Sequence, residues 1–411
     1  MTRAPHVLVL TLVLAACGGS ASSNDATARA NAPLVPTTRD SAGITIHEHP
    51  ADVIERAPMI TIEPTPLMVI GGEDDVDLDL SQASGPLLLR DGGLAVFVRN
   101  AVRIYGPDGA LVEVIGREGA GPQEFRSGML AYGLGDTILV SDDNNARVAL
   151  VVPGAGVVRT RPLVFSVGDA MYSVGGQFGD DDFLLTNMGF AIRRDVPPGA
   201  MSLPIGRVRQ GADSIVVLTM VRGPVARPTP DGQPRMEQFG SWGRAVLWGD
   251  EVAVVPGDRW EIDRLDADGR LVGRITAPRP RDPLTTAMRE ANVEARIMQL
   301  RERAQGNANY QGDTTRSFEL LRNALYADSL PHFMTAKTAA GGTLWLSRSS
   351  LDPDSTWHSL ALAPDGRLLG KAEGLKPSPV AFGDDRVILR SEDDNGIVSW
   401  RVHQLIIPAD Q

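Results

Sequence analysis

The feature that most restricts the fold of this chain is a repeat. A turn of Gly and Asp followed by a short apolar strand occurs six times. The copies start at Gly92-Gly93-Leu94-Ala95-Val96-Phe97, Gly135-Asp136-Thr137-Ile138-Leu139-Val140 and Gly179-Asp180-Asp181-Asp182-Phe183-Leu184. They continue at Gly249-Asp250-Glu251-Val252-Ala253-Val254, Gly341-Gly342-Thr343-Leu344-Trp345-Leu346 and Gly383-Asp384-Asp385-Arg386-Val387-Ile388. From Gly92 to Gly135, Gly135 to Gly179 and Gly341 to Gly383 the step is about 43 residues. The two wider intervals read as one period plus an insertion.

A second turn recurs inside the unit. Pro107-Asp108-Gly109-Ala110-Leu111-Val112 matches Ala267-Asp268-Gly269-Arg270-Leu271-Val272 and Pro364-Asp365-Gly366-Arg367-Leu368-Leu369, with a looser copy at Gly154-Ala155-Gly156. Asp-Gly between apolar alternations marks a hairpin, because glycine supplies the positive φ of a tight turn. Each unit therefore reads as four antiparallel strands, the blade of a β-propeller. The expectation is an all-β, six-bladed β-propeller of four-stranded blades over residues 43–407. Val69-Ile70-Gly71-Gly72-Glu73 echoes Val114-Ile115-Gly116-Arg117-Glu118, the exit of the first blade. The N-terminal copy should therefore supply the outer strand of the last blade and close the ring, with Ile44–His49 adding to the join.

Between blades 4 and 5 the spacing leaves room for a helical insertion, about 282–330. Asp282-Pro283 is a good helix start, and Leu284, Met288, Ala291, Ala295 and Met298 recur on one face. A second helix is expected over Ser317–Tyr326. The insertion is expected to pack across one face of the ring.

Residues 134–156, LGDTILVSDDNNARVALVVPGAG, resemble the NHL-type propeller repeat, with Val140, Asp142, Asn145, Arg147, Val148 and Gly156 near its pattern positions. Residues 116–125, GREGAGPQEF, resemble the linker between such blades, Gln123 standing where a glycine is usual. The whole span is similar to the six-bladed propeller lipoproteins of bacteria. These motifs imply a fold rather than a reaction.

The N-terminus carries an address. Arg3 precedes an apolar run from Val7 to Leu14, about half the length needed to span a bilayer as a helix. Leu14-Ala15-Ala16-Cys17 resembles the lipobox of bacterial lipoproteins, in which the cysteine is diacylated and cleavage occurs before it. Cys17 is the only cysteine, and a small, polar stretch follows it. The expected organisation is a signal peptide at 1–16, then a lipidated Cys17 and flexible tether over 17–42, and the propeller beyond. This implies attachment to the cell envelope through the lipid. Gly18, where Asp would favour inner-membrane retention, points to the outer membrane or periplasmic face in a Gram-negative host.

Composition bounds the chemistry. A net charge of −11 argues against a nucleic-acid partner, which requires a basic face. One cysteine excludes an internal disulfide framework and a thiolate-rich zinc site. No G-x-S-x-G, H-E-x-x-H or phosphate-binding glycine loop is present. His47 and His49 share a strand face, but a metal there would need a distant third ligand such as His332, His358 or His403. Asp75, Asp77 and Asp79 alternate with apolar Val76, Leu78 and Leu80, the pattern of a half-buried strand rather than a calcium loop.

The candidate ligand contacts lie in the loops after the second strand of each blade: Arg99, Asn100, Asp142, Asn144, Asn187, Arg348 and Glu392, with Asp143, Asn145, Asp258, Arg259, Asp393 and Asp394 nearby. Mixed charges and amides suit a polar ligand. Two functions follow. One is a lipid-anchored binding or scaffolding module for a protein, peptide or glycan, with no cofactor, no catalytic residue and no metal. The other is a metal-dependent propeller hydrolase or lyase, resembling gluconolactonases or peptide-amidating lyases, with a divalent ion in its channel.

Overall fold

The computed structural model describes residues 35–408, apart from 73–77, 81–82, 164–165, 168–169, 181, 191–198, 210–213, 229–233, 307–313, 349–356, 376–378 and 394–395. Cys17, the tether up to residue 34, Asp75, Asp77 and Asp394 lie outside the described residues. The architecture is all-β and propeller-like. Its strands form six sheets, over residues 84–115, 129–162, 166–236, 244–276, 335–375 and 379–406, here called sheets one to six in chain order.

The physical unit of the fold is the layer between sheets. Phe97, Val102 and Ile104 of sheet one pack on Ile138, Val140 and Ala149 of sheet two. Leu139 and Val148 pack on Tyr172, Phe183 and Leu185 of sheet three, and Leu184, Ile205 and Val221 on Val252, Val254 and Leu265 of sheet four. Trp260, Ile262 and Ile275 meet Leu344, Leu346 and Leu360 of sheet five. Trp345 and Ala361 meet Phe382, Val387 and Leu389 of sheet six, Trp345 stacking on Phe382 at 4.2 Å. Ile388, Trp400 and Val402 then return to Leu94, Val96 and Val98 of sheet one. Each sheet thus buries both faces, and the order closes on itself. That is why Leu94–Val98 and Ile138–Asp142 are buried at every position. A strand covered on both sides carries a continuous apolar run rather than strict alternation.

The turns follow from residue type. Gly109, Gly269 and Gly366 adopt φ of 83°, 83° and 85°. Asp108 and Asp365 each accept a hydrogen bond from the amide two residues on, at 3.0 Å. The strand register shifts beside each of these turns, so they are hairpins closed by a left-handed glycine next to a bulge.

The N-terminal segment closes the ring. Its elements are β1 (Thr37–Ser41), β2 (Ile44–Glu48), α1 (Val53–Arg56), β3 (Thr61–Ile62) and β4 (Met68–Gly71). β4 pairs antiparallel with the last strand, Trp400 opposite Ile70 and Val402 opposite Met68. β2 does not join there. It lies parallel to the outer strand of sheet four, Thr45 opposite Gly273, with β1 folded back outside it. Between them, Ile60 N–H donates to the Lys371 carbonyl of sheet five at 2.7 Å. The segment therefore runs along the outer edges of sheets four, five and six in turn, which places the earliest strand two sheets away from the join.

Two expectations of regularity are corrected. Sheets three and four have six strands each rather than four, and sheet six has β3 as well as β4 against its last strand. The extra length between Gly179 and Gly249 is absorbed by long strands, Gly199–Val208 and Val216–Pro228, and an added edge strand. The helices between sheets four and five are α2 (Thr286–Gly306) and α3 (Thr314–Arg322). Leu284 and Met288 pack with Tyr326 and Phe239, but Met298 is exposed and Ile297 is buried in its place. The segment docks on the linker before sheet four: Gln238 N–H donates to the Leu325 carbonyl at 2.6 Å, and Arg296 donates to the Gln238 side chain.

Closure by β4 gives adjacent residues opposite roles. Ile70 is buried between sheets six and one, whereas Val69 is 49% exposed. Ile70→Ala should lower stability by about 3 kcal/mol, and Val69→Ala by no more than about 0.5 kcal/mol, in reversible denaturant unfolding. Equal losses would contradict the closure.

Candidate functional site

The second strand of each sheet has two ends. One follows the Gly/Asp turn, and the other leads to the residues picked out from the sequence. Arg99 and Asn100 form the two-residue turn between Leu94–Val98 and Ala101–Tyr105, both with positive φ, and Arg99 is exposed. Arg348 ends the strand Leu344–Arg348 and donates to Asp282 at 2.6 Å. Glu392 ends Arg386–Glu392, exposed and paired with Arg390 at 2.6 Å. The backbone of Asn187 sits opposite Tyr172 in sheet three. Asn144 is exposed, its amide N–H donating to Ser127 Oγ.

Asp142 differs from these. It is fully buried, and its Oδ1 accepts from the backbone N–H groups of Arg126 and Ser127 at 3.3 and 3.2 Å. Its Oδ2 accepts from Asn145 Nδ2 at 2.6 Å and from Arg147 Nε at 3.2 Å. Asn145 and Arg147 in turn donate to the carbonyls of Gly119, Ala120 and Glu124 in the linker 116–125. Phe125 of that linker is buried edge-on to Phe97 at 5.8 Å, and a side chain at Gly116 would collide with its ring. The repeat residues Asp142, Asn145 and Arg147 thus hold the linker between sheets one and two. Every oxygen of Asp142 is committed to the protein itself.

A cavity of about 530 Å³ lies at the other end of the second strands. Gly/Asp turns of sheets one, two, four and five line it, including Asp91, Asp136, Asp250 and Gly341, while sheet three contributes Gly175, Gly176 and Gln177 from its strand Ala170–Gly179 and Tyr132 completes the wall. The Tyr132 hydroxyl donates to the Leu88 carbonyl at 2.9 Å, and burial raises its pKa above the ordinary phenol value. Gln177 accepts from Leu134 N–H and donates to the Asp180 carbonyl. No residue of the helical insertion lines this space. Repetition of the turn encoded the cavity, but the sequence carries no further sign of it.

A second cavity, about 190 Å³, opens between sheets four and five beneath α1. Its apolar wall includes Trp260, Phe333 and Leu360, and its polar lining includes Arg279, Arg348, Lys371, His332, Glu55 and Glu373. Arg279 Nη1 meets Glu55 at 2.5 Å, and Lys371 meets Glu373 at 3.3 Å. His332 is buried, and its Nε2 has no hydrogen-bond partner among the described residues. Burial first, then the Arg348 and Arg279 charges, lowers its pKa to about 4. It is therefore neutral at neutral pH.

The histidines do not assemble. His49 Nε2 lies 3.0 Å from the Gly366 carbonyl and its ring packs edge-on to Trp260, while His47 Nδ1 faces Thr38. His403 Nδ1 faces the Glu63 carbonyl, and His358 lies 3.8 Å from Glu373. Among the described residues, no group of three His, Cys, Asp or Glu side chains is placed to hold a metal ion. Leu78 and Leu80 are buried, but residues 78–80 form a tight turn rather than the expected strand, Leu80 N–H donating to the Leu78 carbonyl at 3.0 Å. No helix among the described residues is long and apolar enough to cross a membrane.

No protein-family model matches the chain, and no curated protein matches it in sequence. Among solved structures it is similar to an exported protein of Bacteroides fragilis, at 10% identity and a TM-score of 0.45 over 89% of this chain and 99% of that one. It is also similar to a DUF4221 family member of Bacteroides vulgatus, at 10% identity and a TM-score of 0.40 over 85% and 99% of the two chains. A gluconolactonase of Xanthomonas campestris gives 13% identity and 0.36 over 85% and 98%.

Two outcomes are expected. Asp142→Ala leaves Arg147 and two backbone donors buried without their acceptor, and should cost about 3 kcal/mol in denaturant unfolding. A loss below about 1 kcal/mol would show that the linker is held by other contacts. For His332, the unfolded chain takes up a proton near pH 6.5 and the folded chain only near pH 4. The stability held above pH 6.5 should therefore fall as pH drops through this window, by about 2 kcal/mol after allowance for solvent screening. His332→Leu should flatten that part of the profile; superimposable profiles would contradict it.

Proposed function

We propose that this chain is a lipid-anchored, extracytoplasmic, six-bladed propeller of the NHL type that binds a protein, peptide or glycan ligand at the mouth of its ring. The observation that carries the reading is the 530 Å³ cavity bordered by Gly/Asp turns of sheets one, two, four and five. Its volume is in the range of small-ligand sites. Its wall offers backbone groups, carboxylates and a glutamine amide, which suit hydroxyl and amide groups of a ligand. The six inter-sheet cores make the surrounding frame rigid, so that loops at both mouths hold fixed positions. Arg99, Asn100, Asn144 and Glu392, at the opposite mouth, are candidates for a second contact with a large partner. Arg348 and Asn187 share that end.

The anchored address rests on Leu14-Ala15-Ala16-Cys17 and the polar stretch after it. It places the protein at the cell envelope, on the outer membrane or periplasmic face of a Gram-negative host. The metal-dependent hydrolase or lyase reading has less support. Among the candidate acids, Asp142 is enclosed by its own hydrogen bonds and Glu392 is paired with Arg390.

Two measurements test this reading. Purified protein lacking residues 1–16 is screened against peptide and glycan arrays, alongside Leu134→Trp, which adds bulk at the exposed rim of the cavity. Captured ligands should be lost at least tenfold in Leu134→Trp and kept in Val112→Ala, an exposed position on the outer strand of sheet one that lies outside the cavity. Unchanged capture by Leu134→Trp would remove the cavity from the reading. Separately, Cys17→Ala should move the full chain from the membrane pellet to the soluble fraction. Continued sedimentation with membranes would exclude the lipid anchor.

A further inference from the structure

The cleft between sheets four and five has a different chemistry from the 530 Å³ cavity and shares no lining residue with it. Three observations meet there. The first is an enclosed space of about 190 Å³ with an apolar wall that includes Trp260 and Phe333. Both aromatic rings are nearly fully buried and lie 5.8 Å apart, so the wall is fixed. The second is unused donor capacity. Arg348 meets Asp282, and Arg279 meets Glu55, each through Nη1. A guanidinium has five N–H groups in a planar fork suited to a carboxylate. No other partner of either side chain is present among the described residues. The third is His332, whose ring is 7% exposed and whose Nε2 has no partner among the described residues. A buried polar atom left unpaired is costly, and such an atom in the wall of a cavity marks a place for a ligand group.

We propose that this cleft binds a small organic carboxylate with a short apolar body, its carboxylate held by Arg348 and Arg279 with His332 Nε2 and its body against Trp260 and Phe333. The neighbouring acids favour this class over a cation or a polyanion. Glu55, Glu373 and Asp282 are each already paired with a cation, so they offer little to a ligand amine. They also leave too little net positive charge for a phosphate cluster. The arginine charges outweigh that of Asp282 at His332, in keeping with an anion there. The volume admits a body of about five or six carbon atoms. The carboxylate could belong to a free acid or to the C-terminal residue of a peptide, and both present the same group to the same donors.

The test uses the protein lacking residues 1–16 and calorimetric titration with four probes. These are 4-methylpentanoate, its amide, and the tripeptide Gly-Gly-Leu with a free or an amidated C-terminus. The free acid should bind saturably at one site, and its amide at least tenfold more weakly, because charge-assisted hydrogen bonds are lost. Binding of Gly-Gly-Leu as tight as that of the acid identifies a peptide end as the source. Binding of the acid alone identifies a free acid. Arg348→Gln and His332→Asn, shown by melting to be folded, should each weaken the acid about tenfold or more, while Leu134→Trp should not affect it. Equal binding of acid and amide, absence of saturable binding, or unchanged affinity in folded Arg348→Gln would overturn the proposal. Because Leu134 lines the other cavity, failure here leaves the ring-mouth reading standing, and the converse holds.

Discussion

Every other feature of this molecule depends on the burial of each sheet between two neighbours. A sheet with both faces covered needs a partner on each side, and only a closed ring satisfies that for every member without leaving an apolar face in water. The last gap is filled by β4, which carries Met68 and Ile70 into the layer between sheets six and one. The ring is therefore closed by hydrogen bonds between the two ends of the domain. The preceding segment strengthens the closure by pairing with the outer strands of sheets four and five as well.

That closure explains why motif residues act as structure. Asp142, Asn145 and Arg147 would, in isolation, pass for a ligand-binding triad of acid, amide and base. Packed sheets leave a linker that must cross from the outer strand of one to the inner strand of the next, with unpaired backbone groups along its length. The three side chains satisfy those groups and bring Phe125 into the core.

Much of the architecture was legible from sequence. The period, the Asp-Gly hairpins, the pairing of Val69–Gly71 with the last sheet and the presence of two helices after sheet four all appear in the structure. What was missed is specific. Ile44–Glu48 carries no mark of its partner, since a parallel pairing with Leu271–Thr276 depends on where the chain has travelled. Met298 and Ile297 are adjacent and both apolar, so periodicity could not say which one the Gln238 linker would cover. Asn and Asp in loops read alike whether they face solvent or are enclosed, which is how Asp142 came to stand beside Arg99 and Glu392 as a candidate contact. His332 offered no local pattern at all, because its surroundings come from sheets four and five and from the linker between them.

The amino-acid sequence by itself determined the repeating unit, its turn chemistry and the all-β class, because glycine's positive φ and the apolar strand are local properties of a few adjacent residues. The tertiary structure alone decided which carboxylates are enclosed and which cavities exist. It also decided that His332 keeps a buried ring nitrogen with no hydrogen-bond partner among the described residues. Those outcomes depend on the packing of segments up to three hundred residues apart, which no short window of sequence contains.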